Sequence, residues 1–160
     1  MREVHTVEAE DSAARAFARA RREALLRRAW ARARKSPASV RLLSFEEAKS
    51  GVGRADKVPL GTRKVFLRDI VGSVARSGDF DDRFLPLKRD LGGRWQAVYR
   101  VFQRNESLGL CIPPVSLYMI DRSYFVRDGN HRVSVALFRG WETIEAEVVL
   151  LRPATSGTPS

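Results

Sequence analysis

Helix-type and strand-type patterns both occur along this 160-residue chain, which predicts an α+β fold. Three observations carry the prediction. A stretch rich in Ala, Arg and Leu, all strong helix formers, runs up to Lys35. Trp95, Val98, Tyr99 and Phe102 recur at i, i+3, i+4 and i+7, the period of an amphipathic helix over Arg94 to Arg104. Two short apolar segments, Val115 to Ile120 and Tyr124 to Val126, lead into a glycine turn and a further helix. A chain of this length buries a core without disulfides or metals, and its 44% apolar and 30% charged content is that of an ordinary soluble domain.

The first ten residues are acidic and contain no apolar run, so no signal peptide is predicted. No segment approaches the roughly 18 apolar residues of a membrane span, and a cytoplasmic protein with no membrane partner is expected. A helix capped by Asp11 or Ser12 is predicted through about Lys35, ended by Ser36-Pro37. Ala13, Phe17, Ala20, Ala24 and Ala31 fall on one face, with Leu26, Trp30 and Ala33 nearly opposite. The helix is therefore expected to be weakly anchored, an arm outside the core. Nine of its side chains between Ser12 and Lys35 are basic and only Glu23 is acidic, giving most of the chain's net charge of +10. Arg15, Arg19 and Arg22 form one set, and Arg21, Arg28 and Arg32 another. Arg15, Arg19, Arg22, Arg28 and Arg32 are the candidate contacts to DNA or RNA phosphates, against the alternative of a solvated helix surface.

Ser44-Phe45-Glu46-Glu47 has capping-box spacing and begins a second helix, closed by Gly51-Val52-Gly53. Lys57 to Thr62 reads as a loop. Val65, Leu67 and Val71 read as a half-buried strand, followed by Gly72-Ser73 and Arg76. Asp79 to Pro86 is irregular, but its two phenylalanines predict a loop packed on the body; its aspartates read as solvated. Cys111, between Leu110 and Ile112, reads as a buried inert thiol, and a single cysteine excludes an internal disulfide. Pro113-Pro114 opens the strand Val115 to Ile120, and Asp121-Arg122-Ser123 is a three-residue hairpin turn. His131 to Arg139 is helix with Gly140 at its C-terminal end, and Glu145 to Leu151 is the last strand. Pro153 to Ser160 reads as a disordered tail.

The segment Asp128-Gly129-Asn130-His131-Arg132 carries the most chemistry. A helix N-terminus presents free N–H groups and the positive end of the macrodipole, an anion site by construction. Arg132 and His131 add donors suited to phosphate. Each residue also has a structural alternative: Gly129 as a turn, Asn130 or Asp128 as a cap, Arg132 paired with Asp128, His131 as packing. Ser73 and Arg76 are a second, less specific set of phosphate candidates. Asp128 is the candidate Mg²⁺ ligand, beside phosphate oxygens and water. No Walker A loop, zinc-protease motif or nucleophile elbow occurs.

The run Pro113-Pro114-Val115, Tyr124-Phe125-Val126, Asp128-Gly129-Asn130-His131-Arg132, Ala136, Gly140 and Ile144-x-Ala146 resembles the ParB/sulfiredoxin-like superfamily. Val65-x-Leu67-x-x-Ile70 extends the likeness weakly, and the first 60 residues resemble only the basic extensions of short bacterial ParB-like proteins. The resemblance implies a compact mixed sheet with flanking helices over 61–152, a basic helical extension over 1–60 and a tail over 153–160. It also implies a nucleotide site. In ParB proteins a Gly-x-Arg-Arg turn contacts the phosphates of a nucleoside triphosphate with Mg²⁺. By position Gly129 would be the turn glycine and His131 and Arg132 the two basic residues, with CTP or ATP as ligand. Sulfiredoxins keep their nucleophilic cysteine where this chain has Asn130, so sulfiredoxin activity is not expected. ParB-like nuclease activity, and a non-catalytic adaptor that binds nucleic acid or protein, are the alternatives.

Overall fold

The computed structural model of the chain describes residues 2–35 and 40–154. In chain order the elements are α1 (Arg2–Ala33), β1 (Leu43–Ser44), α2 (Phe45–Val52), β2 (Ala55–Phe66), β3 (Ile70–Ser73), α3 (Gly92–Leu108), β4 (Val115–Ile120), β5 (Ser123–Asp128), α4 (Asn130–Phe138) and β6 (Thr143–Pro153). The strands make one mixed sheet in the order β1-β3-β5-β4-β6-β2, an α+β arrangement as expected. β1, β3 and β5 are mutually parallel, β4 opposes β5, β6 runs with β4, and β2 opposes β6. The carboxyl ends of β1, β3 and β5 therefore emerge side by side on one edge of the sheet. In sheets with parallel strands, ligands favour that position.

The main core joins α1, α3 and α4 to one face of the sheet; Phe17, Ala20 and Ala24 of α1 share it with Trp95, Leu117 and Val148. A smaller core of Phe45, Ile120, Phe125 and Leu151 fills the other face under α2. The expectation of a loosely attached arm is thus corrected. Ala13, Ala20 and Ala24 are fully buried, and the Phe17 ring lies 5.7 Å from that of Trp95. Alanines at this spacing let α1 approach α3 closely, so anchoring does not need large apolar side chains. The helix also begins at Arg2 rather than at Asp11 or Ser12, and the Ser12 hydroxyl accepts a hydrogen bond from Gln103 Nε2 at 3.2 Å instead of capping.

Three further expectations change. Lys57 to Thr62 lies within β2, not in a loop, so the boundary expected at residue 60 falls inside a continuous strand paired with β6. Pro59 is tolerated because β2 is an edge strand and its register shifts between Pro59 and Gly61. Cys111 is exposed, since α3 ends at Gly109 and the chain then crosses the surface toward Pro113. The Asp79–Leu85 loop packs down as predicted on Phe80 and Phe84, but Asp79 and Asp81 are buried rather than solvated. Arg27 of α1 reaches Asp81 at 2.5 Å and Asp82 at 2.9 Å, pinning this loop to the helix.

The stretch from Val65 to Val71, expected as one strand, is divided: Val65 lies at the end of β2, Leu67–Asp69 forms a 3₁₀ turn, and Val71 belongs to β3, which is not adjacent to β2 in the sheet. Ser44 Oγ accepts the Glu47 N–H at 3.4 Å at the start of α2. The β4–β5 hairpin turns through Asp121-Arg122, one residue tighter than expected, because Ile120 and Ser123 still pair. Ser36-Pro37 and residues 155–160 lie outside the described residues. Pro153, expected in the tail, is the last residue of β6.

Candidate functional site

Two of the three parallel carboxyl ends build the predicted phosphate turn. Ser73 pairs with Val126 across β3 and β5, and Val74 donates its N–H to the Val126 carbonyl at 2.9 Å. The chain segment leaving β3 is thereby held beside the β5–α4 turn. Gly72 makes this packing possible: a Cβ there would collide with the Leu43 carbonyl and the Phe125 ring. The buried Ser73 hydroxyl accepts the Arg76 N–H at 3.1 Å and so orients the turn that carries Arg76.

Gly129 has φ of 101°, a left-handed conformation, and a Cβ would come within 2.7 Å of Val115 Cγ1. Gly129→Ala is expected to cost about 1–3 kcal/mol of stability from backbone strain. A urea melt checks this, and an unshifted midpoint would mean the turn has a relaxed alternative. Gly129, not Asn130 or Asp128, occupies the cap position of α4, and no side chain caps it. Asn130 opens the helix, and its Oδ1 is buried without a hydrogen-bond partner.

His131 is half-buried with its ring edge-on to Phe80, centroids 5.7 Å apart, and its Nδ1 also lacks a partner. Burial lowers its pKa below the ordinary 6.5; the charges of Arg94 and Arg76 lower it further, against an opposing pull from Asp79. The unfolded chain therefore takes up this proton first. The stability that goes with neutral His131 is present above pH 6.5 and is lost as pH falls through the lowered value. Arg76 and Lys88 both reach Asp79, at 3.0 Å and 2.5 Å. Burial works to raise the Asp79 carboxyl, but hydrogen bonds from Lys88 and Arg76 outweigh it and hold the group below its usual range. Two cations thus share one carboxylate.

Arg132 turns away from this group. Its Nη1 donates to the carbonyls of Pro113 at 2.9 Å and Pro114 at 2.7 Å, and its Nη2 pairs with Asp128 at 2.9 Å. It ties α4 to the entrance of β4. The pairing of Arg132 with Asp128, one of the two alternatives in the sequence, is the geometry found. Asp128 is highly exposed and engaged by Arg132, and no group of three or more His, Cys, Asp or Glu side chains clusters among the described residues.

The arginines of α1 are dispersed. Arg15 lies 4.0 Å from Asp11 with both side chains exposed, and Arg19 stacks over Phe138 at 4.8 Å. Arg22 flanks a shallow apolar recess with Phe17 and Leu25. Only Arg28 and Arg32 converge, in a recess of about 610 Å³ that also takes Arg41, Ser44 and Ser77. Arg41 and Arg94 were not singled out by sequence, because neither lies in a motif; only the fold brings them to this edge. No described helix is long and apolar enough to cross a membrane. No family model, curated protein or solved structure matches the chain.

Proposed function

We propose that the edge where β3 and β5 end binds the phosphates of a nucleotide, in the manner of a ParB-like nucleoside triphosphate domain. One observation carries the reading: the Ser73–Arg76 turn is hydrogen-bonded to Val126 of β5, three residues ahead of the Gly129–His131 turn. The free N–H groups opening α4 lie beside the buried, unpartnered Asn130 Oδ1 and His131 Nδ1. Arg76 and Arg94 supply positive potential at His131. A phosphate there meets N–H donors and guanidinium groups. Arg132 serves by fixing the turn rather than by touching ligand.

Mg²⁺ usually needs one or two carboxylates beside the phosphates. Asp79 and Asp128, the carboxylates nearest the turn, are both held by cationic partners, so the residues present do not offer Mg²⁺ a ligand set. Binding therefore rests on the cationic side chains and backbone N–H groups. The residues gathered at the turn support binding.

Calorimetric titration with CTP, ATP and GTP, with and without Mg²⁺, tests this reading. Saturable binding weakened by Arg76→Ala or Arg94→Ala is expected, and no binding at millimolar nucleotide would sink it. An NMR titration gives an independent readout. His131 should titrate below pH 6.5 in the free protein and move upward when a phosphate dianion binds beside it, because a nearby negative charge favours the imidazolium. A His131 pKa unmoved by saturating nucleotide would place the ligand elsewhere.

A further inference from the structure

The recess holding Arg28, Arg32 and Arg41 is distinct from the α4 turn, with no residue of β5 or α4 in its lining. Phe80 is common to both: it walls the recess and packs its ring against His131. Arg28 and Arg32 are one helical turn apart on α1 and so project from the same face. Arg41 approaches from the strand side, just ahead of β1. Ser44, in the lining, is the cap of α2, so the positive dipole end of that helix borders the recess. Glu47 is the one carboxylate in the lining. None of the three arginines enters an ion pair among the described residues.

Three guanidinium groups against one carboxylate leave two positive charges for a ligand. Apolar Val40, Leu42 and Leu87 complete the wall, giving a site with a cationic end and an apolar side. We infer that this recess binds a phosphomonoester on a nucleotide-sized body. A terminal phosphate carries close to two negative charges at neutral pH, whereas a phosphodiester carries one. Arginine forks and a helix N-terminus both suit three free phosphoryl oxygens better than the two of a diester. A volume of about 610 Å³ accommodates a mononucleotide but not a duplex. The nucleotide arrives either free or as the 5′-phosphorylated end of a single strand.

The test titrates the full chain, by calorimetry for small ligands and fluorescence anisotropy for labelled strands. The probes are cytidine 5′-monophosphate, cytidine, and a short oligothymidylate with a 5′-phosphate or a 5′-hydroxyl. The phosphorylated member of each pair is expected to bind at least about tenfold tighter, as loss of hydrogen bonds to a charged group predicts. Arg32→Ala and Arg41→Ala, both at exposed positions, should each weaken that binding by a similar factor, while Arg122→Ala, in the exposed β4–β5 turn, leaves it unchanged. Binding should also weaken below about pH 6, where the phosphate takes up its second proton. Comparable affinity for free nucleotide and strand identifies free nucleotide as the source; clearly tighter strand binding identifies the nucleic-acid end. Equal binding of the 5′-phosphate and 5′-hydroxyl strands overturns the proposal, as does absence of binding by every probe. Loss of binding in Arg76→Ala with retention in Arg32→Ala/Arg41→Ala assigns the ligand to the α4 turn and overturns the proposal too.

Discussion

Replacing Trp95 with alanine is expected to remove about 3–5 kcal/mol of folding stability, the range for deleting a fully buried aromatic side chain. The indole is fully buried and sits between Phe17, Tyr99 and Phe138, with ring centroids 5.4–5.7 Å away. It is the point where α1, α3 and α4 meet. Its Nε1 donates to Ser134 Oγ at 2.8 Å, and Ser134 is itself fully buried. Truncation therefore opens a cavity and also strands a hydroxyl inside the core. Trp95→Phe separates the two effects. It keeps most of the packing and should cost about 1 kcal/mol for the hydrogen bond, or somewhat more for the unsatisfied hydroxyl. Urea or thermal melts of the two variants give the comparison. If Trp95→Ala lost less than Trp95→Phe, α1 would not be docked as described.

Arg27→Ala is expected to cost about 3–5 kcal/mol, because it leaves a buried carboxylate without its cation. The Asp81 side chain has no exposed surface and lies 2.5 Å from Arg27. Its other partners are the N–H groups of Arg83 and Leu85, at 3.0 and 2.8 Å. Burial is the largest influence on Asp81 and raises its carboxyl above the usual value, with the neighbouring Asp82 adding to the rise. Leu85, Arg27 and Arg83 pull the other way without reversing it. A raised folded pKa means that the folded state holds the proton longer than the unfolded chain. The charged form is thus a cost that falls as pH drops through the raised value. The Arg27→Ala deficit should be greatest near neutral pH and shrink on acidification. Asp81→Asn in the Arg27→Ala background should recover part of the loss, because the amide oxygen still accepts the backbone N–H groups without a charge. A deficit that did not change between neutral and mildly acidic pH would mean that the loss is one of packing rather than of charge.

Arg27 also explains where the sequence misled. Ala13, Phe17, Ala20, Ala24 and Ala31 were visible as one face of α1, and Arg27 completes the alternation of three and four residues. Because alanine adds little to any measure of hydrophobicity and the remaining positions are mostly arginine, the stripe looked too weak to bury. Its small side chains are what permit close docking, and a charged residue inside an apolar stripe was the sign of a buried partner. Asp81 was that partner, hidden in a loop whose aspartates resembled ordinary solvated ones. Local signals were more reliable: the Ser44 cap, the β4–β5 hairpin and the Gly129 turn all form where the residues placed them. Pro59 and Gly61 concealed β2, because its edge position, which makes proline acceptable, is a property of the sheet and not of the segment.

The site was half legible. Gly129, Asn130 and His131 stand at the opening of α4, and Ser73 and Arg76 stand beside them. The sequence could not decide between phosphate and Asp128 for Arg132, because both suit a guanidinium at that spacing. The carbonyls of Pro113 and Pro114, 18 and 19 residues earlier, complete its hydrogen bonding. Arg28 and Arg32 were in view as part of a basic helix, but Arg41 joins them only because β1 pairs with β3.

The sheet's two borders have a consequence for how this protein behaves in a crowd of its own copies. β1 spans two residues, too few to template another chain. β2 is twelve residues long, but Pro59 lacks a donor, the register breaks before Gly61, and Lys57, Arg63 and Lys64 are exposed along it. A strand arriving from outside meets a gap in the hydrogen-bond ladder and a row of like charges. Such features block edge-to-edge growth, so the sheet ends at six strands and the open edge does not become a route to aggregation.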